Sequence, residues 1–150
     1  MKKINGFSMS VLLALSFIFS AGMYPETTYA KESKTIEVSL KTKKFAIMVS
    51  DVMHFKLAVM TAEQMKVKEK KVSFEIIAVA ELVKAMAEDP TLLAEFDKAE
   101  ALGVKIVVCE AAMTFFKVPK DKMDKRLEFT ANSWIYMYHL QENKYFTLVI

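Results

Sequence analysis

One short stretch of the chain decides the fold class, and it reads GVKIVVCEAAM over residues 103–113. Gly103 is typical of the residue that ends a helix, where the backbone turns left-handed. The run from Val104 to Cys109 is almost entirely apolar, which predicts a strand that is buried on both faces. A new helix begins at Glu110. A buried strand between two helices is the repeating unit of a parallel α/β sheet.

The same alternation extends outward in both directions. Further apolar runs predict strands over residues 44–50, 72–79, 127–130 and 145–150, the last of them buried. A short polar helix is expected over residues 120–125. Segments with apolar residues at helical spacing separate these runs, and Asp51, Asp89 and Asn132 (or Ser133) are expected to cap three of the helices. The sequence therefore predicts an α/β fold for residues 43–150, a three-layer α/β/α domain with a mostly parallel five-stranded sheet.

The first predicted helix carries more apolar surface than one sheet face needs. Phe55 and Val59 recur at the spacing that faces a sheet, and Met53, Leu57 and Met60 widen the apolar stripe. A small domain should not leave such a stripe in contact with water, so the pattern predicts a second contact with another subunit. We expect a homo-oligomer.

The beginning of the chain has the layout of a secretory signal peptide. Lys2 and Lys3 precede an apolar run over residues 11–19, and the sequence Thr28-Tyr29-Ala30 resembles a cleavage site. We expect a signal peptide over residues 1–30, a polar lead-in over residues 31–42, and a periplasmic or secreted protein. The apolar run is shorter than the roughly 20 residues that span a bilayer, so no membrane association is expected after cleavage. An uncleaved N-terminal anchor is the alternative.

Composition and motifs exclude several classes of function. The chain has 21 basic and 18 acidic residues, and this weak excess argues against nucleic-acid binding. Arg126 is the single arginine, which argues against an arginine clamp for phosphate groups. Gly103 is the only glycine after the predicted leader, and neither GxSxG, HExxH nor CxxC occurs. His54 and His139 lie far apart, so neither a cofactor nor a metal is expected.

Cys109 is the single cysteine of the chain, so it cannot form an internal disulfide. It lies where the predicted third strand ends and a helix begins. The positive end of a helix dipole lowers a thiol pKa and favours the thiolate, and Glu110 would oppose this effect if its carboxylate faced the sulfur. The alternative is a small, buried, inert side chain, which is common for free cysteine. Position alone leaves both interpretations open.

Other polar residues are expected at the same edge of the sheet, because ligands bind at the carboxyl ends of parallel strands. Ser50, Asp51 and His54 follow the first strand, and Asn132 and Trp134 follow the fourth. Together with Glu110 they are the candidate binding residues. Simpler structural roles compete: a solvated helix-face histidine for His54, a helix cap for Asn132, and core or interface packing for Trp134.

The sequence resembles the DsrE/DsrF-like family over residues 43–150. The stretch over residues 103–113 carries the resemblance, together with the segment from Asn132-Ser133-Trp134 to Leu140-Gln141 and the final run from Tyr145 to Ile150. The resemblance implies a compact α/β/α fold with a parallel five-stranded sheet, and a homo-oligomer that is a trimer or a hexamer. It also implies sulfur relay through a persulfide on one cysteine, whose position Cys109 matches.

Two functions follow as hypotheses. The first is an exported DsrE-like sulfur carrier or sulfurtransferase that holds a persulfide on Cys109 and exchanges sulfur with a donor or acceptor protein. The second is a non-enzymatic oligomeric module that binds a small ligand or a partner, with Cys109 as a structural residue. The predicted export departs from the family's sulfur relays, which work in the cytoplasm, so the fold is expected to transfer better than the activity.

Overall fold

The computed structural model describes residues 38–150. The predicted signal peptide (residues 1–30) and residues 31–37 of the predicted lead-in lie outside the described residues. The strands are β1 (Lys44–Val49), β2 (Ser73–Ala78), β3 (Lys105–Cys109), β4 (Glu128–Thr130) and β5 (Phe146–Val149). The helices are α1 (Val52–Lys68), α2 (Glu81–Glu88), α3 (Leu93–Ala101), α4 (Glu110–Phe116) and α5 (Ser133–Glu142). Short 3₁₀ turns span Pro90–Leu92 and Lys120–Lys122.

The strands form one sheet in the order β4-β3-β2-β1-β5, and every neighbouring pair is parallel. Parallel neighbours need a crossover connection, and the helices supply it. The predicted α/β class and the five-stranded parallel sheet are therefore confirmed.

Alternating strand residues build a core on each face of the sheet. On one face, Ile47 and Ile76 belong to a large cluster with Phe55 and Val59 of α1 and with buried residues of α2, α3 and α4. On the other face, α5 packs on a smaller cluster of residues from β1, β2 and β3 (Ala46, Met48, Ile77 and Val107) through Met137 and Leu140. The helices thus cover both faces, which gives the three layers. In residues 38–150 no helix is both long and apolar enough to cross a membrane.

The predicted helix signals are present in the structure. The Asp51 carboxylate accepts a hydrogen bond from the His54 N–H at 2.9 Å and begins α1. Asp89 accepts from the Thr91 N–H at 2.9 Å, and Asn132 caps α5. Gly103 follows α3 with φ of +62°, the left-handed conformation that glycine adopts without steric cost.

Two expectations were wrong in detail. The last strand was predicted to be buried, but β5 is an edge strand, with Phe146 72% exposed and Leu148 56% exposed. An apolar run indicates that a segment forms a strand, but it does not indicate whether the strand lies inside the sheet or at its edge. The predicted burial of this strand was therefore wrong. The short helix expected over residues 120–125 is one 3₁₀ turn at Lys120–Lys122.

A buried carboxylate lies between β2 and α5. Glu75 is 5% exposed and accepts a hydrogen bond from the Tyr136 hydroxyl at 2.8 Å. The hydroxyls of Tyr145 and Ser73 lie 2.9 Å apart beside it. Burial raises the pKa of Tyr136, and the bond to Glu75 raises it further, so the phenol stays a donor. This polar network joins α5 to the sheet, and the apolar periodicity of β2 gave no sign of it.

Ala80 has an unfavourable backbone conformation between β2 and α2, with φ of 52° and ψ of −140°. Glycine adopts this region freely, whereas the alanine Cβ is crowded there. We expect Ala80→Gly to raise the free energy of unfolding by about 1–2 kcal/mol in denaturant titration. The matched control is Ala85→Gly within α2, which should lower it by about 1 kcal/mol. Equal losses in both variants would contradict the assigned conformation.

Candidate functional site

Cys109 lies at the carboxyl edge of the sheet, between two helix N-termini. It is the last residue of β3 and immediately precedes α4. Its register partner on β4 is Thr130, and the following turn leads into α5 at Ser133. The Ala111 N–H donates to the carbonyl of Ala131 at 3.2 Å, which ties the start of α4 to this turn. The parallel pairing of β3 with β4 therefore brings both helix starts to the sulfur.

Hydrogen-bond donors surround the Cys109 sulfur. Burial by itself raises the pKa of the thiol, since the side chain is 5% exposed. The Ser133 hydroxyl acts on the thiol as a hydrogen-bond donor and lowers its pKa, and the backbone N–H groups of Ala112 and Ser133 lower it further, with the smallest effect from Ala111. Together these donors outweigh burial and hold the pKa of Cys109 below its ordinary value. The site thus favours a thiolate within a buried environment, where it is shielded from water.

Ser133 is a site residue that the sequence pattern did not indicate, because Ser133 and Asn132 both fit the cap position of α5. Asn132 takes that role: its side chain accepts from the N–H groups of Trp134 and Ile135 at 2.9 and 3.3 Å. Ser133 is thereby free to turn both its hydroxyl and its N–H toward Cys109, and it is itself buried. Only the order of the strands indicates this proximity. Because β4 lies next to β3, the turn that follows β4 must pass the end of β3, where Cys109 lies.

Glu110 does not act against the thiolate in the way that the sequence left open. Its carboxylate accepts a hydrogen bond from the Lys120 ammonium at 2.7 Å. The same ammonium lies 4.1 Å from the centre of the Phe129 ring on β4. Lys120 therefore pairs with Glu110, the acidic residue that directly follows Cys109, and packs over the edge strand β4.

The other predicted residues fall into two groups along the carboxyl edge of the sheet, which we call the rim. Trp134 directly follows Ser133 on α5 and is 71% exposed, so its side chain is a surface feature beside the site. Ser50, Asp51 and His54 lie at the end of β1, separated from β3 by β2. Two strand spacings are about 10 Å. A direct role of this second group at Cys109 stays a prediction.

His54 is paired with Asp51. Its Nδ1 lies 2.5 Å from the Asp51 carboxylate, and the His54 side chain is partly exposed. The N–H of His54 and its ring both lower the pKa of Asp51, the backbone bond more strongly. The dyad therefore orients the imidazole ring at the β1 end of the rim. In residues 38–150 no group of three or more His, Cys, Asp or Glu side chains is arranged to hold a metal ion.

A cavity of about 450 Å³ lies along α4 next to the candidate site. Its lining includes Glu110 and Lys120, together with Met113, Thr114 and Pro119. It is open to solvent and reaches the first residue after Cys109. Cys109 itself does not line this cavity.

Solved structures with the same architecture include proteins from three organisms. A protein of unknown function from Methanobacterium thermoautotrophicum has a TM-score of 0.62 at 11% identity, over 71% of this chain and 99% of its own. A conserved protein of unknown function from Bacteroides thetaiotaomicron gives 0.56 at 18% identity, over 70% and 94%. The ychN protein of E. coli gives 0.56 at 12% identity, over 73% and 100%.

These structures belong to the DsrE/DsrF-like fold family. At such low identity the likeness shows a common fold, and the fold implied by the sequence resemblance is confirmed. No model of a protein family matches the chain, and no curated protein matches it.

The donors around the sulfur make a testable difference to its reactivity. Removing the hydroxyl in Ser133→Ala should raise the pKa of Cys109, because one hydrogen bond to the thiolate is lost. Alkylation of the folded protein near pH 7 should slow roughly fivefold, as expected for one bond of about 1 kcal/mol. The rate profile should move to higher pH and meet the wild-type rate once both thiols are ionised.

The matched control for this experiment is Ser50→Ala at the β1 end of the rim. The Ser50 hydroxyl donates to the Ile150 carbonyl at 3.5 Å and lies two strands from the sulfur. Its alkylation profile should equal that of the wild type. An unchanged profile in Ser133→Ala would contradict the assigned bond.

Proposed function

We propose that the chain is a DsrE/DsrF-like protein that is exported and carries sulfur as a persulfide on Cys109. The observation that supports this function is the set of donors around the sulfur: the Ser133 hydroxyl and the N–H groups at the starts of α4 and α5. Such donors stabilise a thiolate, which is the nucleophile of thiol–disulfide and persulfide exchange. The Lys120 ammonium engages the carboxylate of Glu110, so this acidic neighbour does not counter them.

The proposed transfer balances without an added oxidant or reductant. The Cys109 thiolate attacks the outer sulfur of a donor persulfide, a new S–S bond forms, and the donor S–S bond breaks. The donor thiolate leaves with the electron pair. An acceptor thiolate then attacks the outer sulfur on Cys109, and the Cys109 thiolate leaves. Because the chain has one cysteine, the acceptor is a separate molecule, either a small thiol or a partner protein.

Persulfide loading of the folded protein tests this function. At pH 7 the native wild type should gain the mass of one sulfur atom from a polysulfide donor and lose it to a small thiol, as followed by intact mass spectrometry. Cys109→Ser should gain none. It should keep its stability within about 1 kcal/mol, because Ser133 and the surrounding N–H groups satisfy the new hydroxyl.

An unfolded control separates reactivity that the fold creates from reactivity of any thiol. The wild type in urea exposes Cys109 and should load more slowly at pH 7 than the folded protein, since its pKa is no longer lowered. If the unfolded chain loads and the native chain does not, the persulfide function is wrong.

A binding module is the second candidate function, and the burial of Cys109 favours it. A thiol that is 5% exposed resembles a structural residue at the end of a strand. In that case the rim, with the Asp51–His54 dyad and the exposed Trp134, would hold a small ligand or a partner. The loading experiment distinguishes the two functions, because a structural thiol reacts only after denaturation.

We further propose that the chain is a homo-oligomer, a trimer or a hexamer as the family resemblance implies. Met53, Leu57 and Met60 are all exposed on α1, whereas Phe55 and Val59 face the sheet. The sheet therefore leaves the apolar side chains of Met53, Leu57 and Met60 uncovered. An assembly that buries them would remove that surface from water.

Export has its own test. When the full chain is expressed in a bacterium, N-terminal sequencing of the periplasmic or secreted fraction should find a mature chain that begins near Lys31. The control Leu13→Arg interrupts the apolar run and should leave an unprocessed chain in the cytoplasm. A wild-type chain that starts at Met1 in the membrane fraction would contradict cleavage.

A further inference from the structure

The two edges of the sheet differ in how they are protected. The β4 edge is three residues long, begins with Glu128, and has Lys120 packed over Phe129. These are features by which proteins prevent edge-to-edge pairing: short length, charge and cover. The β5 edge is only one residue longer, but Phe146 to Ile150 contains no charged residue and no proline.

The outer edge of β5 presents backbone groups that pair with no described residue. The Ile150 N–H donates to the Met48 carbonyl at 2.9 Å, so the N–H groups of Phe146 and Leu148 also point toward β1. Since backbone groups alternate along a strand, the N–H and C=O groups of Thr147 and Val149 point away from the sheet. Within residues 38–150 this row is a free template for another strand.

Apolar side chains flank this edge on both faces of the sheet. On the α5 side, Gln141 donates to the Thr147 hydroxyl at 2.9 Å, which places this face of α5 toward β5. Tyr138 and Trp134 lie one and two turns from Gln141 on that face, and both are exposed. We call the exposed side chains along this edge the β5 surface: Trp134, Tyr138, Phe146, Leu148, Val149 and Ile150.

The β5 surface is large enough for a stable interface. Phe, Tyr and Trp side chains bury on the order of 150–250 Å² each, so the three aromatic and three smaller aliphatic side chains of this surface, all partly exposed, together offer roughly 600 Å². That equals the largest patch on a typical monomer, about 300–600 Å². Each partner in an interface of standard size buries about 800 Å², which is only slightly more. The edge backbone supplies the remaining area.

We propose that β5 pairs antiparallel with β5 of a second copy across a two-fold axis, giving one continuous sheet through both subunits. A second copy is the occupant that matches this surface best, because an uncharged strand is complementary to itself when antiparallel. The two-fold axis closes the assembly, since the protected β4 edges remain outermost. This specifies a surface for the proposed self-association and requires an even number of subunits, so a hexamer fits and an isolated trimer does not.

Edge-blocking variants test the pairing by sedimentation velocity over a range of concentrations. Val149→Pro removes an outward N–H that the β1 ladder does not use, so each subunit should fold and melt nearly as the wild type does. Two carbonyls across the axis then lose their N–H partners, and self-association should weaken at least about 30-fold. Val149→Thr keeps the N–H and the branched shape, and it should associate like the wild type.

Two further variants keep the test decisive if Val149→Pro fails to fold. Val149→Lys places a charge at an exposed position and should weaken association without loss of the fold. In a Cys109→Ser background, a single cysteine is placed in turn at positions 147, 148 and 149, and the one that lies opposite its own copy at the two-fold axis should form a disulfide between copies on oxidation. The same background with Glu128→Cys on the β4 edge should form none.

The outcomes separate this proposal from the sulfur function, because none of these readouts depends on persulfide loading. A wild-type chain that is a monomer overturns both the pairing and the homo-oligomer. An oligomer that survives both Val149→Pro and Val149→Lys, or that has an odd number of subunits, overturns the pairing alone.

Discussion

The parallel pairing of β2 with β1 on one side and β3 on the other is the constraint on which the rest of the structure depends. Residues 74–78 of β2 are all buried, so this strand has helices over both faces and strands at both edges. Parallel neighbours cannot be joined by a tight turn, and each connection must return the chain along a helix. The helical layers therefore follow from this pairing, and so does the alignment of all five strand ends at one edge.

That alignment also produces the candidate site. Cys109 ends β3, Thr130 lies opposite it on β4, and the turn that follows must carry Ser133 past the sulfur. Asn132 meets the capping needs of α5, which leaves the Ser133 hydroxyl and N–H for Cys109. Burial and hydrogen bonding act on the thiol in opposite directions, and here the bonds prevail. A buried sulfur whose thiol has a lowered pKa is consistent with storage of a reactive persulfide.

The same order of strands creates an asymmetry between the two sheet edges. β4 is short, carries Glu128 and is covered through Lys120, whereas β5 is apolar and free along its outer side. Charged side chains lie at the β4 edge and in the buried Glu75–Tyr136 bond, whereas β5 carries no charged side chain. The proposed persulfide chemistry and the proposed pairing thus occupy neighbouring regions, because Trp134 of the β5 surface directly follows Ser133.

Local sequence determined the elements of this protein, and the tertiary structure decided their environment. The buried run before Cys109, the caps at Asp51 and Asn132, and the left-handed turn at Gly103 depend on neighbours within a few residues, so pattern and propensity were enough. Three other features depend on contacts between different elements of the fold. These are the place of β5 at the edge of the sheet, the pairing of Glu110 with Lys120, and the effect of Ser133 on Cys109. Such contacts are set by strand order, which a single sequence does not encode in any local pattern.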